Sequence, residues 1–186
     1  MPVRATAAQP GGVAGAYSRQ MPMTSRLPDA APHPFDVLTP ARVLDALDAV
    51  GLRGDGRLLQ LNSYENRVFL VYLESGAPVV AKFYRPQRWS VDQILEEHAF
   101  AWALTAAEVP VIAPLLLTAA GDGPIKVTLL GGPPTLAQAE LGGLVMAYAA
   151  YPCRAGPGPE LDDPETLRWL GRVIGRLHAV GATSRF

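Results

Sequence analysis

The chain has 186 residues, 49% hydrophobic and 18% charged, enough apolar side chain for one ordinary domain with a small appendage and too much for a chain disordered throughout. A formal net charge of −1 without any basic stripe argues against nucleic acid or an anionic membrane as a partner. The longest nearly apolar stretch, 141–153, is too short to cross a bilayer, the first 34 residues lack the apolar core of a signal peptide, and the lone Cys153 forbids an internal disulfide, so a cytoplasmic protein is the default expectation.

Residues 1–34, rich in Ala, Pro, Gly, Ser and Gln, read as a disordered tail whose few large apolar groups cannot offset the entropy of ordering. Thr39 and Pro40 then have the form of a helix cap and first turn, with Val43, Leu44 and Leu47 at helical spacing until Gly51. Three strands are expected next at 57–61, 68–73 and 78–84, the last two joined by the Glu74-Ser-Gly-Ala turn. Ser90 with Gln93 has capping-box spacing and opens a helix running to about Ala107. Two further strands, 114–118 and 144–150, are expected to flank a Gly- and Pro-rich excursion through 121–134, giving five in all. Regular structure breaks at 151–159, and Asp163 with Pro164 begins a last helix carrying Leu167, Leu170, Ile174 and Leu177 on one stripe.

The chemistry concentrates in three of these elements. Lys82 sits on a strand fourteen to fifteen positions ahead of Glu96 and Glu97 in the helix. A strand fixes the base of a long cationic side chain while its ammonium reaches phosphate oxygens, and a helix carboxylate holds it there. Glu97 shares a stripe with Ile94, Ala101 and Leu104 and so faces the sheet, whereas Glu96 falls beside Asp92 and Gln93, which assigns the partner role to Glu97. Taken alone, a strand lysine with an unrelated glutamate is the commoner arrangement. The turn between the first two strands, Asn62-Ser-Tyr-Glu-Asn66, lies where a phosphate-covering loop would lie; it has no glycine, but the Ser63 hydroxyl and the Asn62 or Asn66 amides can donate in place of backbone amides. His98 reads as a packing or surface residue, His178 as a cap on the final helix, and Trp102 and Trp169 as core or lobe-contact residues; three scattered histidines and one cysteine make no metal site.

The segments Leu61-Asn-Ser-Tyr-Glu-Asn-Arg-Val68, Lys82-Phe-Tyr-Arg-Pro86, Arg88-Trp89, Asp92-Gln-Ile-Leu-Glu-Glu-His98 and Val109-Pro-Val111 closely resemble the stress response kinase A type, the RdoA-like branch of the aminoglycoside-phosphotransferase-like kinases. The resemblance spans approximately residues 33–178. It implies an α+β fold: a protein-kinase-like N-lobe over 35–150, an antiparallel sheet plus a helix, then a hinge or linker over 151–159 and the first helix of a truncated C-lobe over 160–186. It implies an ATP-dependent, Mg2+-requiring serine/threonine protein kinase, a monomer acting on protein substrates in stress responses. By this resemblance Ser63 would contact ATP, and Lys82 and Glu97 would form its phosphate-binding pair. Asn66, as a side-chain donor in the same turn, is expected to join Ser63, and by order along the chain the Tyr151-Pro152-Cys153 segment stands where a hinge would offer backbone groups to adenine.

The family's base-bearing His-Gly-Asp loop and its metal-binding Asn and Asp have no counterpart before Phe186, so this chain is expected to carry neither catalytic base nor metal ligands and to be inactive alone. Two other readings stand beside this one. The same architecture phosphorylates small alcohols such as aminoglycosides, choline and homoserine, and a lobe without chemistry would serve as a partner-binding module.

Overall fold

The computed structural model describes residues 33–121 and 123–184. The tail expected over 1–34 lies, apart from its last two positions, outside them. Helix α1 (Pro40–Asp48) starts as expected, the Thr39 hydroxyl accepting from the Arg42 amide. The strands β1 (Gly54–Leu61), β2 (Arg67–Leu73) and β3 (Val79–Phe83) follow, then helix α2 (Val91–Ala106). Ser90 and Gln93 close the reciprocal capping box at 3.1 and 3.0 Å.

After α2 the chain departs from expectation. The segment 114–118 is not a ladder strand; Pro114 has no N–H, and the segment makes only single bonds, from the Leu115 amide to the Ala150 carbonyl and from the Leu117 amide to the Pro134 carbonyl. The strands are instead β4 (Val127–Leu130) and β5 (Leu136–Leu141), followed by β6 (Leu144–Pro152). The Gly131–Pro134 run, read as part of a loop, is the turn of a β4–β5 hairpin, and Gly142-Gly143, both at positive φ, form the turn of the β5–β6 hairpin. The result is one antiparallel sheet of six strands, ordered β1-β2-β3-β6-β5-β4, where five were expected.

Strand alternation sorts the side chains onto two faces. On one, Phe69, Val71, Val79, Ala81, Phe83, Met146, Tyr148 and Ala150 pack under Val43, Ala46 and Leu47 of α1, with Leu117 sealing the side. On the other, Tyr84, Leu136 and Ala149 receive Ile94 of α2. Because α2 crosses only the middle and β5 side of this second face, the β1-β2-β3 end is left open. That opening is the site.

Helix α3 (Pro164–Thr183) begins at the Asp163 cap, whose carboxylate accepts from the Glu165 and Thr166 amides. The Thr166 hydroxyl also donates to this carboxylate at 2.7 Å, and that bond first, with the two amide bonds after it, holds the Asp163 carboxyl below the ordinary range. The helix continues past His178, which is exposed in mid-helix rather than capping the end. Arg176 reaches back to the carbonyls of Ala107 and Glu108 at the C-terminus of α2, where a cation meets the negative end of the helix dipole. Leu167, Trp169 and Ile174 are all about half exposed, as is Trp102 to a lesser degree, so neither Trp102 nor Trp169 is a core residue. Among the described residues no helix is long and apolar enough to cross a membrane.

Candidate functional site

Register places the site residues before any side chain is considered. Leu61 pairs with Val68, Val68 with Lys82, and Lys82 with Ala149, a row across β1, β2, β3 and β6 whose members share one face. The next row on that face holds Leu70, Val80 and Tyr151. Ala149 is covered by α2, and the others floor an open cleft of about 430 Å³, with Glu97 on the α2 side, Ile112 on the connection after α2, and Pro152, Cys153 and Arg154 where the chain leaves β6. Its floor is largely apolar, with the Lys82–Glu97 pair toward the β1–β2 turn and Arg154 at the opposite end, where the chain leaves β6, a distribution that suits a ligand with a flat apolar body and an anionic tail.

The two residues assigned to each other from helix phase do meet. The Lys82 ammonium lies 2.8 Å from a Glu97 carboxylate oxygen and 4.6 Å from the centroid of the Tyr84 ring. The Lys82 side chain is 22% exposed and that of Glu97 55%, so the pair opens onto the cleft and remains reachable by a ligand. Glu96 is exposed and makes no part of the lining.

Ser63 and Asn66 are placed differently. The β1–β2 turn hangs beyond the last Leu61–Val68 pair, at the Lys82 end of the cleft, and both residues line a smaller hollow beneath the turn with Glu65, Arg67 and Arg85 rather than the cleft itself. The turn is tethered at its base: the Asn66 side-chain oxygen accepts from the Arg85 amide at 3.3 Å, and Glu65 lies 3.7 Å from Arg85 and 3.2 Å from Arg88. The Tyr151-Pro152-Cys153 segment is short of free donors too, since Pro152 has no N–H and the Cys153 amide donates to the Pro78 carbonyl at 3.2 Å. Pro152 and Cys153 therefore shape the cleft wall without offering an amide.

The residue missed from the sequence is His98. It is 2% exposed and hydrogen-bonded on both ring nitrogens: Nε2 lies 2.9 Å from the Tyr84 hydroxyl and 3.1 Å from that of Tyr151, and Nδ1 lies 2.9 Å from the Thr135 hydroxyl. A neutral imidazole offers one donor and one acceptor, which satisfies both sides. Burial holds its pKa down from 6.5 to about 4; the nearby Lys82 ammonium acts in the same direction and the Glu97 carboxylate against it. Burial likewise pushes Tyr84 far up and Tyr151 to about 12, so both phenols stay protonated. The only hint in the sequence is position, four residues after Ile94 on the buried stripe.

The sign of the His98 shift gives a pH dependence. Between about 4 and 6.5 the unfolded chain takes up a proton that the folded one refuses, so stability falls as pH drops through that window and levels off below it. The expected loss attributable to His98 is of order 2–3 kcal/mol. Urea melts at the two ends of the window should show a smaller loss in His98→Gln than in the parent; parallel profiles would refute the assignment.

Among the described residues no group of three or more His, Cys, Asp or Glu side chains could hold a metal ion.

Residues 57–186 match the phosphotransferase enzyme family (APH). Stress response kinase A of Salmonella choleraesuis is 41% identical over 152 residues, which are 82% of this chain and 41% of that protein. The serine/threonine protein kinase RdoA of Salmonella typhimurium is 40% identical, and stress response kinase A of Escherichia coli K12 38% identical, with the same shares covered. The chain thus spans about 41% of the length of these curated relatives. Among solved structures, the amicoumacin kinase hAmiN in complex with AMP-PNP, Ca2+ and Ami superposes with a TM-score of 0.61 at 20% identity, covering 81% of this chain and 42% of that one. A microcompartment-associated aminopropanol kinase gives 0.53 at 18% identity, covering 80% and 44%. Fold, cleft and sequence agree, and the chain belongs to the phosphotransferase enzyme family, with stress response kinases among its relatives.

Proposed function

We propose that this chain is the nucleotide-holding lobe of an ATP-dependent serine/threonine protein kinase that works in the cytoplasm. The observation that carries the reading is the Lys82–Glu97 pair, 2.8 Å apart, at one end of a cleft with a largely apolar floor. In it, Leu61, Val68, Leu70 and Val80 take the flat base, Lys82 neutralises phosphate oxygens, and Glu97 holds the ammonium in place by a charge-assisted hydrogen bond. Ser63 and Asn66 act from the β1–β2 turn, which stands at the phosphate end and would fold over bound nucleotide. When bound, ATP supplies the phosphoryl group. The catalytic base and the Mg2+ ligands belong, in this reading, to parts of the complete protein beyond this lobe, which by itself holds nucleotide without transferring phosphate.

A second reading, phosphorylation of a small molecule, draws on the two solved structures, whose names state such substrates for those proteins. At 18–20% identity they support the fold, and the 40% identity to the serine/threonine protein kinase RdoA, whose name states a protein acceptor for that protein, weighs toward the first reading. The test has two arms. The lobe should bind ADP in a titration, and the complete protein should transfer label from ATP to serine or threonine of a protein. No ADP binding would remove the first claim, and transfer only to a small amino alcohol would replace the second.

A further inference from the structure

An ion pair as open to water as Lys82–Glu97 is too weak to hold a helix in register. Something else keeps α2 at the distance and rotation that bring Glu97 within 2.8 Å of Lys82. Beside the apolar packing of Ile94, the neighbouring residue is placed to do so. His98 is fastened by its ring nitrogens to three elements of the sheet side: β6 through Tyr151, the residue after β3 through Tyr84, and the residue before β5 through Thr135.

Three features separate this cluster from ordinary packing. Its polar groups are buried at a desolvation cost that apolar side chains in the same space would avoid. Hydrogen bonds fix direction as well as distance, so they set the rotation of α2, which apolar contacts alone leave freer to slide. Finally, its members touch the site itself. The Tyr84 ring lies under the Lys82 ammonium while its hydroxyl meets His98, and Tyr151 is both a wall of the cleft and 3.1 Å from His98 and from the Tyr84 hydroxyl. The charged groups facing His98 are those two members of the pair, Lys82 and Glu97.

We propose that the buried His98–Tyr84–Tyr151 triangle, anchored by Thr135, is a positioning device that sets the Lys82–Glu97 pair and links it to the cleft wall at Tyr151. His98 is then a positioning residue that never touches the ligand. A ligand pressing on Tyr151 leans on the same hydroxyl that fixes α2, so filling of the cleft and the register of Glu97 are coupled. This rests on the reading of the cleft as a nucleotide site.

The experiment compares the parent chain, His98→Ala, His98→Gln, Tyr84→Phe and Lys82→Met by two readouts: ADP affinity by titration, and the side-chain carboxyl carbon resonance of Glu97, which needs no nucleotide. Loss of the triangle should weaken ADP about tenfold in His98→Ala and Tyr84→Phe, the scale of one buried hydrogen bond. It should also move the Glu97 resonance toward its position in Lys82→Met. His98→Gln, which keeps one donor and one acceptor, should recover most of both. Tyr84→Phe keeps the ring and guards against a His98→Ala variant that fails to fold. A Glu97 resonance unchanged in Tyr84→Phe and in whichever His98 variants fold overturns the proposal, whatever ADP does. A resonance that moves as expected in a chain that binds no ADP upholds the positioning and overturns the nucleotide reading instead.

Discussion

Lys82→Ala is expected to reduce nucleotide affinity by about 10- to 100-fold while leaving the fold in place. A charge-assisted hydrogen bond to phosphate contributes about 1.5–3 kcal/mol, and each 1.4 kcal/mol is tenfold in affinity. What the substitution removes from the folded protein is smaller. A half-open ion pair contributes up to about 1 kcal/mol and the contact over the Tyr84 ring a similar amount. The two effects can therefore be read apart in one experiment, thermal melting with and without ATP or ADP. The melting point without nucleotide should shift by only a few degrees, while the rise produced by a fixed nucleotide concentration should shrink, since that rise follows the ratio of concentration to dissociation constant. Equal nucleotide-induced rises in parent and variant would end the assignment of Lys82.

Tyr148→Ala should be the most damaging single change to stability, by about 3–5 kcal/mol, against a total of about 5–15 kcal/mol for a domain of this kind. Tyr148 is fully buried, its ring stacked on Phe83 with centroids 5.2 Å apart. Its hydroxyl donates to the Ala46 carbonyl at 2.7 Å, 102 positions away. That carbonyl sits in the last turn of α1, where carbonyls lose their helical partners. The closing turn supplies amides to Asp45, Leu47 and Asp48, and Tyr148 supplies the donor to Ala46. Alanine would leave both a cavity between α1 and the sheet and an unmet buried acceptor. Tyr148→Phe isolates the second effect and should cost about 1–2 kcal/mol. Urea unfolding measures both, and a loss below 1 kcal/mol for the alanine variant would show that the α1 face of the sheet is not the main core.

The helices were legible because their signals are local. Thr39-Pro40, Ser90 with Gln93, and Asp163-Pro164 each satisfy orphan amides within three residues of the cap, so sequence and structure coincide there. The first three strands and their hairpins were legible for the same reason, as was the pairing of Lys82 with Glu97, since strand position and helix phase together point the two side chains at each other. The later strands were not. Leu136–Leu141 is rich in Ala and Gln, with little of the β-branched or aromatic character that marks a strand, and it becomes one because β6 and β4 lie on either side of it. The apolar run 114–118 has the composition of a strand but no neighbour with which to form a ladder, and its Leu117 is buried as a plug beside the sheet.

The amino-acid sequence settled the capped helices, the front hairpins, the Lys82–Glu97 pairing and the family resemblance, all of which depend on short-range spacing or on runs of residues read in order. The order of the six strands, the separation of Ser63 and Asn66 from the cleft, the loss of the Cys153 amide to Pro78, and the burial and hydrogen bonds of His98 came from the assembled chain. A histidine becomes buried and useful only when its partners arrive, and those of His98 lie 14, 37 and 53 positions away, distances over which no periodicity connects one side chain to another.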